Sequence, residues 1–225
     1  MDQIELKLDH KTITITLPDG VVADPKLLDG GHPLGYVVKQ KNATANYLSR
    51  VAELLKDIRV DNVLEFCGGI GLIPLTLNDV IHWKKWTTVE LDPACKTAYV
   101  CPNVDFKLQN MYDPIDLTAD LIFMDFPSNT IPKMWREPQR AALLKRIADS
   151  RPKYWEITDV GWYWIHLANH WPIYQARFGK QVTRENYHEL FDEYMRETYG
   201  YQLVKHTLGG GAGYYLFSPV EVKLA

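Results

Sequence analysis

The sequence has 225 residues, of which 46% are hydrophobic and 12% aromatic. This composition is typical of a globular protein with one domain, or at most two small ones, and excludes a largely disordered chain. Lys and Arg total 25 against 28 Asp and Glu, and the resulting net charge of −3 argues against a strongly basic surface that wraps a nucleic-acid duplex.

The three cysteines, Cys67, Cys95 and Cys101, lack the spacing of a zinc site, and their odd number provides no disulfide framework. A reducing cytoplasm is therefore the expected location. No apolar run approaches the roughly 20 residues that span a bilayer, and the N-terminus has no apolar signal core. The sequence thus predicts a cytoplasmic protein that does not enter a membrane.

Two alternating segments near the N-terminus, 4–8 and 12–17, predict a β-hairpin with its turn at 9–11. Glycines and prolines between 23 and 35 predict a loop, and 36–38 a short extended piece. We expect residues 1–35 to form an extension of hairpin and loop, and residues 36–225 to form the main domain.

Helical and extended patterns alternate along the rest of the chain. Helical spacing of apolar residues occurs at 43–58, 93–99, 136–149, 162–174 and 183–199, with Thr183 and Asn186 as candidate caps of the last helix. Strand patterns occur at 63–64, 86–91, 104–108, 121–124, 154–157, 201–208 and 214–218. Such alternation predicts a mostly parallel sheet with right-handed crossovers. Only a glycine loop joins the final two strands, so they must be antiparallel.

The segment 62–71, NVLEFCGGIG, joins a short buried strand to a helix through Glu65 and a glycine-rich turn. Glycine permits positive φ angles and a close approach of the backbone to a ligand. A carboxylate at this place would repel a pyrophosphate and suits a ligand with a cationic amine. An ordinary strand-to-helix loop is the alternative. Within the turn, we expect Cys67 to be a small buried residue beside a ligand rather than a nucleophile.

Four motifs follow one another at the ends of the first four predicted core strands: EFCGGIG at 65–71, ELDP at 90–93, QNM at 109–111 and DFP at 125–127. In this order they resemble the motifs of the class I S-adenosylmethionine-dependent methyltransferases, over about residues 43–218. The resemblance implies an α/β fold with a Rossmann-like, mostly parallel seven-stranded sheet. It further implies helices on both faces, a reversed strand near the C-terminal edge, and here an N-terminal β-hairpin extension.

The same resemblance implies S-adenosylmethionine as the cofactor and suggests which residues bind its amino-acid and ribose parts. Glu65 would help to order the ammonium group of the amino-acid tail. The turn glycines, Gly68, Gly69 and Gly71, would let the chain pass beside the sugar and the tail. Glu90 would accept hydrogen bonds from the two ribose hydroxyls, a task that suits a carboxylate.

The adenine ring would be held by residues that follow the second and third core strands. Leu91 would pack on the ring, Asn110 would contact its amino group, and Met111 would flank it. Asp92 competes with Glu90 for the ribose, and the alternative role of Glu90 is that of a solvated acid at a strand end. Glu90 is favoured because it stands at the family's acidic position.

The motif at Asp125, Phe126, Pro127 and Ser128 bears on the substrate. It resembles the acidic or amide residue, two prolines and aromatic ring of enzymes that methylate amino groups of nucleobases, where an acid accepts from the NH₂ and a ring stacks on a flipped base. It departs from that pattern, since Phe126 replaces the first proline and Ser128 stands where the aromatic ring belongs. In the alternative reading, Asp125 bonds the cofactor and Phe126 packs.

The predicted function is methylation of an exocyclic amino nitrogen of a nucleobase, with RNA or DNA as partner and Asp125, Phe126 and Pro127 as catalytic residues. Methylation of a small molecule or a protein side chain is the first alternative, and a non-catalytic cofactor-binding member of the fold is the second. Aromatic residues at 162–164 follow the fifth strand and are candidates for base stacking or for packing. No metal is predicted, because His166 and His170 lack an obvious third ligand.

Overall fold

The computed structural model describes residues 2–29, 32–125, 138–159, 176, 179, 183, 185–209 and 212–221. These residues belong to two compact units, one ending at Asp113 and the other beginning at Pro114. Among the helices in the described ranges, none combines the length and the apolar character needed to cross a membrane.

The N-terminal hairpin forms as predicted. Strands β1 (Gln3–Lys7) and β2 (Thr12–Thr16) pair antiparallel, and both bury every second residue. The hairpin turn is tied to two helices of the same unit: the Asp9 N–H donates to Ser49 Oγ at 3.0 Å, and Lys11 Nζ donates to the Thr76 carbonyl at 2.6 Å and to the Asp79 carboxylate. The proposed boundary between a 1–35 extension and a 36–225 domain stays a prediction.

The predicted loop is confirmed at 24–29, where no helix or strand forms. The prediction was wrong for 33–35 and for the extended piece at 36–38, because helix α1 (Pro33–Lys39) occupies these residues and leads into α2 (Lys41–Leu55). His32 caps α1 with its side chain, and Pro33 at the first helical position has a preset φ. A Cβ on Gly35 would overlap the backbone of Asp29. The proline and glycine here therefore start a helix and permit close packing, functions that resemble loop signals in the sequence.

In the rest of the first unit, three parallel strands alternate with two short helices. They are β3 (Asn62–Phe66), α3 (Leu72–Leu77), β4 (Lys85–Glu90), α4 (Pro93–Thr97) and β5 (Asp105–Leu108). Strand β4 pairs with β3 on one side and with β5 on the other. Because parallel strands end at the same edge of a sheet, the segments after β3, β4 and β5 lie close together.

The second unit contains β6 (Leu121–Asp125), α5 (Pro138–Ser150), β7 (Tyr154–Asp159), α6 (Tyr187–Tyr199), β8 (Tyr201–Gly209) and β9 (Ala212–Pro219). Strands β6 and β7 are parallel, whereas β9 runs antiparallel to both β7 and β8. This confirms the predicted antiparallel pair and the reversed strand. The predicted helix at 162–174 lies outside the described residues.

Helix α6 begins later than predicted. Thr183 and Asn186 bond to each other through their side chains and backbone N–H groups, at 2.7 and 3.3 Å, in the turn that precedes the helix. Asn186 occupies the cap position without a side-chain bond into the helix. The two residues therefore fix the turn before α6, and the first helical residue is Tyr187.

Strands β3 to β9 form one seven-stranded sheet. The predicted α/β fold class, with a mostly parallel sheet, a reversed strand near the C-terminal edge and a separate N-terminal hairpin, is confirmed. The inner strands read as continuous apolar runs, as expected of strands buried on both faces. For example, Leu121 to Met124 of β6 are all fully buried.

Candidate cofactor site

The glycine turn after β3 has an unusual backbone. Cys67, Gly69 and Gly71 have φ angles of 57°, 55° and 82°, all in the left-handed region. Glycine adopts this region without strain, whereas Cys67 does so at a cost of about 1 kcal/mol or more. The Cys67 N–H still donates to the Val89 carbonyl at 2.8 Å, which extends the pairing of β3 with β4 into the turn. The turn is thus held against the end of β4.

Two turn glycines are needed for space rather than for flexibility alone. A Cβ on Gly68 would lie 2.5 Å from Thr88 Cγ2 and 2.7 Å from the Glu65 carboxyl carbon. A Cβ on Gly71 would lie 2.6 Å from the ring of Tyr99. Side chains of β3, β4 and the segment after α4 therefore press against the underside of the turn, and the glycines make this approach possible.

Glu65 lies in this layer, fully buried, and its Oε2 atom accepts two hydrogen bonds from β4: from Trp86 Nε1 at 2.9 Å and from Thr88 Oγ1 at 2.7 Å. The Tyr99 hydroxyl lies 3.0 Å from Thr88 Oγ1. Burial, and then the charge of Glu65, raise the pKa of Tyr99 far above its usual value. Sequence reasoning identified Glu65 but missed these three partners, although Trp86 and Thr88 alternate on one face of a predicted strand.

Glu90, at the end of β4, connects the strand to the glycine turn. Its Oε2 atom accepts from the Gly69 N–H at 3.0 Å, and its Oε1 atom accepts from the N–H groups of Leu91 and Asp92 at 2.7 and 3.1 Å. Trp86, Thr88 and Glu90 alternate along β4, so one face of this strand holds both Glu65 and the turn. The structure thus brings together the acid and the turn that the motifs single out.

Asp92, the competitor for the ribose in the sequence analysis, has a different task. Its Oδ1 atom accepts from the Ala94 N–H at 2.9 Å and caps α4. A cap of this kind typically stabilises a helix by about 1 kcal/mol. Asp92 is therefore engaged in local structure through one oxygen, whereas both oxygens of Glu90 bind backbone N–H groups around the turn.

The remaining predicted cofactor residues lie at the same edge of the sheet. Leu91 is 66% exposed and directly follows Glu90. Asn110 and Met111 follow β5; Asn110 Oδ1 accepts from the Tyr112 N–H at 3.0 Å, and Met111 Sδ lies 3.8 Å from Cys67 Sγ. The contact between the two sulfur atoms shows that the segment after β5 reaches the glycine turn.

The expectation that Cys67 is buried was wrong, because its side chain is exposed. The positive φ angle of this residue turns its side chain away from the sheet interior, while Cys95 and Cys101 are buried. The sequence holds little information on this point, since a non-glycine residue rarely adopts such a φ angle.

Of the predicted catalytic residues, Asp125 is the last residue of β6 in the second unit. Phe126 and Pro127 lie outside the described residues, and so do Ser128, the aromatic segment 162–164, His166 and His170. Their predicted roles stay predictions.

A cluster that sequence reasoning missed lies beside Glu90. His32, Asp92 and Cys95 place one ligand atom each within 4.8 Å of one another, an arrangement that could hold a metal ion. His32 and Cys95 are buried, and burial, with the charges of Glu90 and Asp92, raises the pKa of the Cys95 thiol to about 12. The cluster joins residues 63 positions apart in the sequence, which no local pattern could indicate.

The arrangement around the turn decides between classes of ligand. A carboxylate lies against the turn and occupies the Gly69 N–H, which in a dinucleotide site would face a pyrophosphate. A second carboxylate, Glu65, lies directly beneath. Two acids at this place disfavour a phosphate and suit a ligand with hydroxyl donors and a cationic group.

No family model matches the sequence, and no curated protein matches it significantly. Solved structures do match. The methyltransferase domain of bacterial CtHen1-C is 16% identical and aligns over 80% of this chain and 100% of its own, with a TM-score of 0.55. An O-methyltransferase family protein from Burkholderia thailandensis is 13% identical over 90% of this chain and 62% of its own, also with a TM-score of 0.55.

A third match, the 16S rRNA methylase RmtB, is 12% identical over 91% of this chain and 76% of its own, with a TM-score of 0.51. At these identities the likeness concerns the fold. The chain has the fold of the class I S-adenosylmethionine-dependent methyltransferases, as its motifs predict. Solved proteins with this fold include methyltransferases with different substrates.

Proposed function

We propose that this protein is an S-adenosylmethionine-dependent methyltransferase whose substrate is an exocyclic amino nitrogen of a nucleobase in RNA or DNA. The observation that carries the proposal is the contact between the Glu90 carboxylate and the Gly69 N–H at 3.0 Å, which places an acid at the end of β4 against the glycine turn. A nucleoside cofactor with two ribose hydroxyls fits this pair.

The cofactor would supply an electrophilic methyl group on its sulfonium sulfur. Glu90 binds the ribose hydroxyls in this proposal, and Glu65, through the turn above it, favours the ammonium end of the tail. Leu91, which is exposed, covers one face of the adenine in this proposal. Asn110 and Met111 contact the adenine from the segment after β5, and Gly68, Gly69, Gly71 and Cys67 form the floor beside the sugar and tail.

The proposed substrate amine is bound after β6, where Asp125 and a backbone carbonyl accept its N–H groups, Phe126 stacks on the base, and Pro127 shapes the segment. Positioning the amine in line with the sulfonium would supply most of the rate. The nitrogen would take the methyl group as the sulfonium S–C bond breaks, leaving S-adenosylhomocysteine, and the amine would release one proton to solvent. The likeness to a 16S rRNA methylase supports a nucleic-acid substrate, and RNA is the first partner to test.

The first experiment asks whether the cofactor binds. Calorimetry with S-adenosylmethionine should show one site in the wild-type protein, and Glu90→Ala should weaken binding by about tenfold or more, since it removes a charged acceptor. Glu5→Ala, on an exposed position of the hairpin, is the control and should bind as the wild type does. Absence of binding to the wild type would rule out the proposed cofactor.

The second experiment identifies the substrate. Tritium from labelled S-adenosylmethionine should enter the RNA or DNA fraction of a cell extract, in a base whose exocyclic amine is methylated. Asp125→Ala should then lower turnover about a hundredfold while cofactor binding is retained, and Asp149→Ala, an exposed position on α5, should not. Label in protein or small metabolites instead would contradict the nucleobase assignment.

A further inference from the structure

Two neighbouring residues at the start of α1, His32 and Pro33, contact two separate parts of the candidate cofactor site. Pro33 Cβ lies 3.3 Å from the place where a Cβ of Gly69 would stand, so α1 begins directly against the glycine turn. His32 Nε2 lies 3.8 Å from Cys95 Sγ and 4.0 Å from Asp92 Oδ2, so the same dipeptide also contacts the segment after β4. No local sequence pattern links these three segments.

The hydrogen bonds define which nitrogen of His32 carries the proton. Its Nδ1 atom accepts from the Leu34 N–H at 3.1 Å, as the cap of α1. A nitrogen that accepts has no proton, so the neutral ring carries its proton on Nε2. Nε2 lies 3.8 Å from Cys95 Sγ, within hydrogen-bond range for a sulfur atom, and 4.0 Å from Asp92 Oδ2, beyond hydrogen-bond range. The ring N–H dipole therefore faces both groups, and its attraction to the Asp92 carboxylate is electrostatic rather than a hydrogen bond.

The same argument weighs against a metal ion at this cluster. A cation on Nε2 would require the lone pair of that nitrogen, and the ring proton would move to Nδ1. Nδ1 would then face the Leu34 N–H with a proton of its own, and the cap of α1 would be lost. The cap therefore favours a protonated Nε2 that faces Cys95 and Asp92 over a metal centre.

Asp92 contacts both His32 and Glu90, and so links the two residues. One oxygen of Asp92 caps α4 through the Ala94 N–H, and the other faces His32. The Asp92 N–H, in turn, donates to Glu90 Oε1 at 3.1 Å. The order of contacts is thus His32 to Asp92 to Glu90, and Glu90 ends on the Gly69 N–H.

We infer that His32 is a positioning residue for the adenosyl part of the cofactor. It holds the start of α1 against the segment between β4 and α4, so that Glu90 and Leu91 stay where the ribose and the adenine require them. The inference rests on the proposed function, because it concerns the same cofactor. The inference assigns a role to a residue outside the four motifs. It also implies that the start of α1 joins the glycine turn to the segment after β4.

Two substitutions distinguish the contact of His32 with Asp92 from the capping of α1 by His32. In His32→Asn the amide oxygen can still accept the Leu34 N–H, since Asn is among the best helix caps, but no atom reaches Asp92. His32→Ala removes both. We expect both variants to bind S-adenosylhomocysteine about tenfold more weakly by calorimetry, with an increased KM for S-adenosylmethionine and an unchanged kcat. Only His32→Ala should also lower the melting temperature.

His82→Ala, an exposed histidine of the same unit, is the matched control and should bind as the wild type does. Asp92→Asn keeps the oxygen that caps α4 and removes the charge that faces His32. Its effect on cofactor affinity should resemble that of His32→Asn. The variant with both substitutions should lose little more affinity than either single variant, because each substitution breaks the same contact between His32 and Asp92.

Several results would overturn the inference. If His32→Asn binds the cofactor as tightly as the wild type, the histidine is a helix cap and nothing more. Additive effects in the double variant would show that His32 and Asp92 act separately. If the purified wild-type protein contained one equivalent of zinc, the cluster of His32, Asp92 and Cys95 would be a metal site instead. If the wild type itself binds no cofactor, the proposed function fails as well, whereas equal binding by all variants overturns the inference alone.

Discussion

Glu65 in the first unit and Asp159 in the second are both completely buried, yet they are held in different ways. The donors to Glu65, Trp86 and Thr88, come from the neighbouring parallel strand, and Thr88 is its direct partner in the register. The donor to Asp159 is the hydroxyl of Tyr187, on helix α6, 28 residues away in the sequence. Sheet register therefore places the first carboxylate, and helix packing places the second.

The surroundings of the two acids differ as well. Glu65 lies under a glycine turn whose backbone approaches it closely. Asp159 lies near the start of α6, where His188 stacks on His206 with ring centroids 4.3 Å apart and bonds the Tyr215 hydroxyl at 3.1 Å. A buried acid can thus lie beneath a glycine turn in one unit and anchor a helix in the other, and burial alone does not distinguish the two arrangements.

The largest expected effect concerns the strand-held acid. Glu65→Ala should lower the free energy of unfolding by about 3 kcal/mol, because two buried donors lose their shared acceptor. Urea unfolding measures this change. Thr88→Val removes one donor and should lower it by about 1 kcal/mol. If Glu65→Ala were no more destabilising than Thr88→Val, the sheet register would not be what fixes this layer.

A smaller effect is expected at the helix-held acid. Tyr187→Phe removes a hydroxyl that donates to a buried carboxylate and should lower the free energy of unfolding by about 2 kcal/mol, within the range for bonds to charged groups. The same urea experiment applies, with the exposed Tyr36→Phe as the matched control. A loss as small as that of the control would mean that α6 packs without this bond, and the contrast between the units would disappear.

The third expected effect is a pH dependence in the second unit. Burial, and then the neighbouring His206, lower the pKa of His188 from 6.5 to about 4. Between these values the unfolded chain binds a proton that the folded chain does not, so stability should fall as the pH decreases from about 6.5 towards 4. Below about 4 both states are protonated, and the contribution of His188 to the slope ends.

The melting temperature of the wild type, measured across this pH range, should therefore decrease more steeply than that of His188→Gln, which cannot titrate. Tyr215→Phe keeps the histidine pair but removes the hydroxyl at Nδ1, and should retain most of the slope. Equal slopes in the wild type and His188→Gln would show that other groups dominate this range.

The sequence predicted the fold class and much of the candidate site. Alternation at 4–8 and 12–17 indicated the hairpin, and the glycine loop before residue 214 indicated the antiparallel pair, because these patterns follow directly from strand geometry. The motif residues Glu65, Gly69 and Glu90 were singled out because each lies at the end of a strand or in the turn that follows it, where a parallel sheet brings such residues together.

Other features escaped prediction for identifiable reasons. Pro33 and Gly35 read as loop residues, yet one begins α1 and the other permits its packing. Cys67 was expected to be buried, and its positive φ angle exposes it. His32 had no motif of its own, since its partners Asp92 and Cys95 are distant in the chain and become neighbours only after α1 packs beside them.

The sequence by itself determined most of the segments that become strands and helices, and which acids stand at strand ends, because these depend on periodicity and on local backbone preference. Only the tertiary structure decided that Glu90 accepts from Gly69, that Glu65 is enclosed by Trp86 and Thr88, and that His32 meets Asp92. Such contacts join residues from different elements, and their geometry follows from strand register and helix packing, which a single sequence does not record.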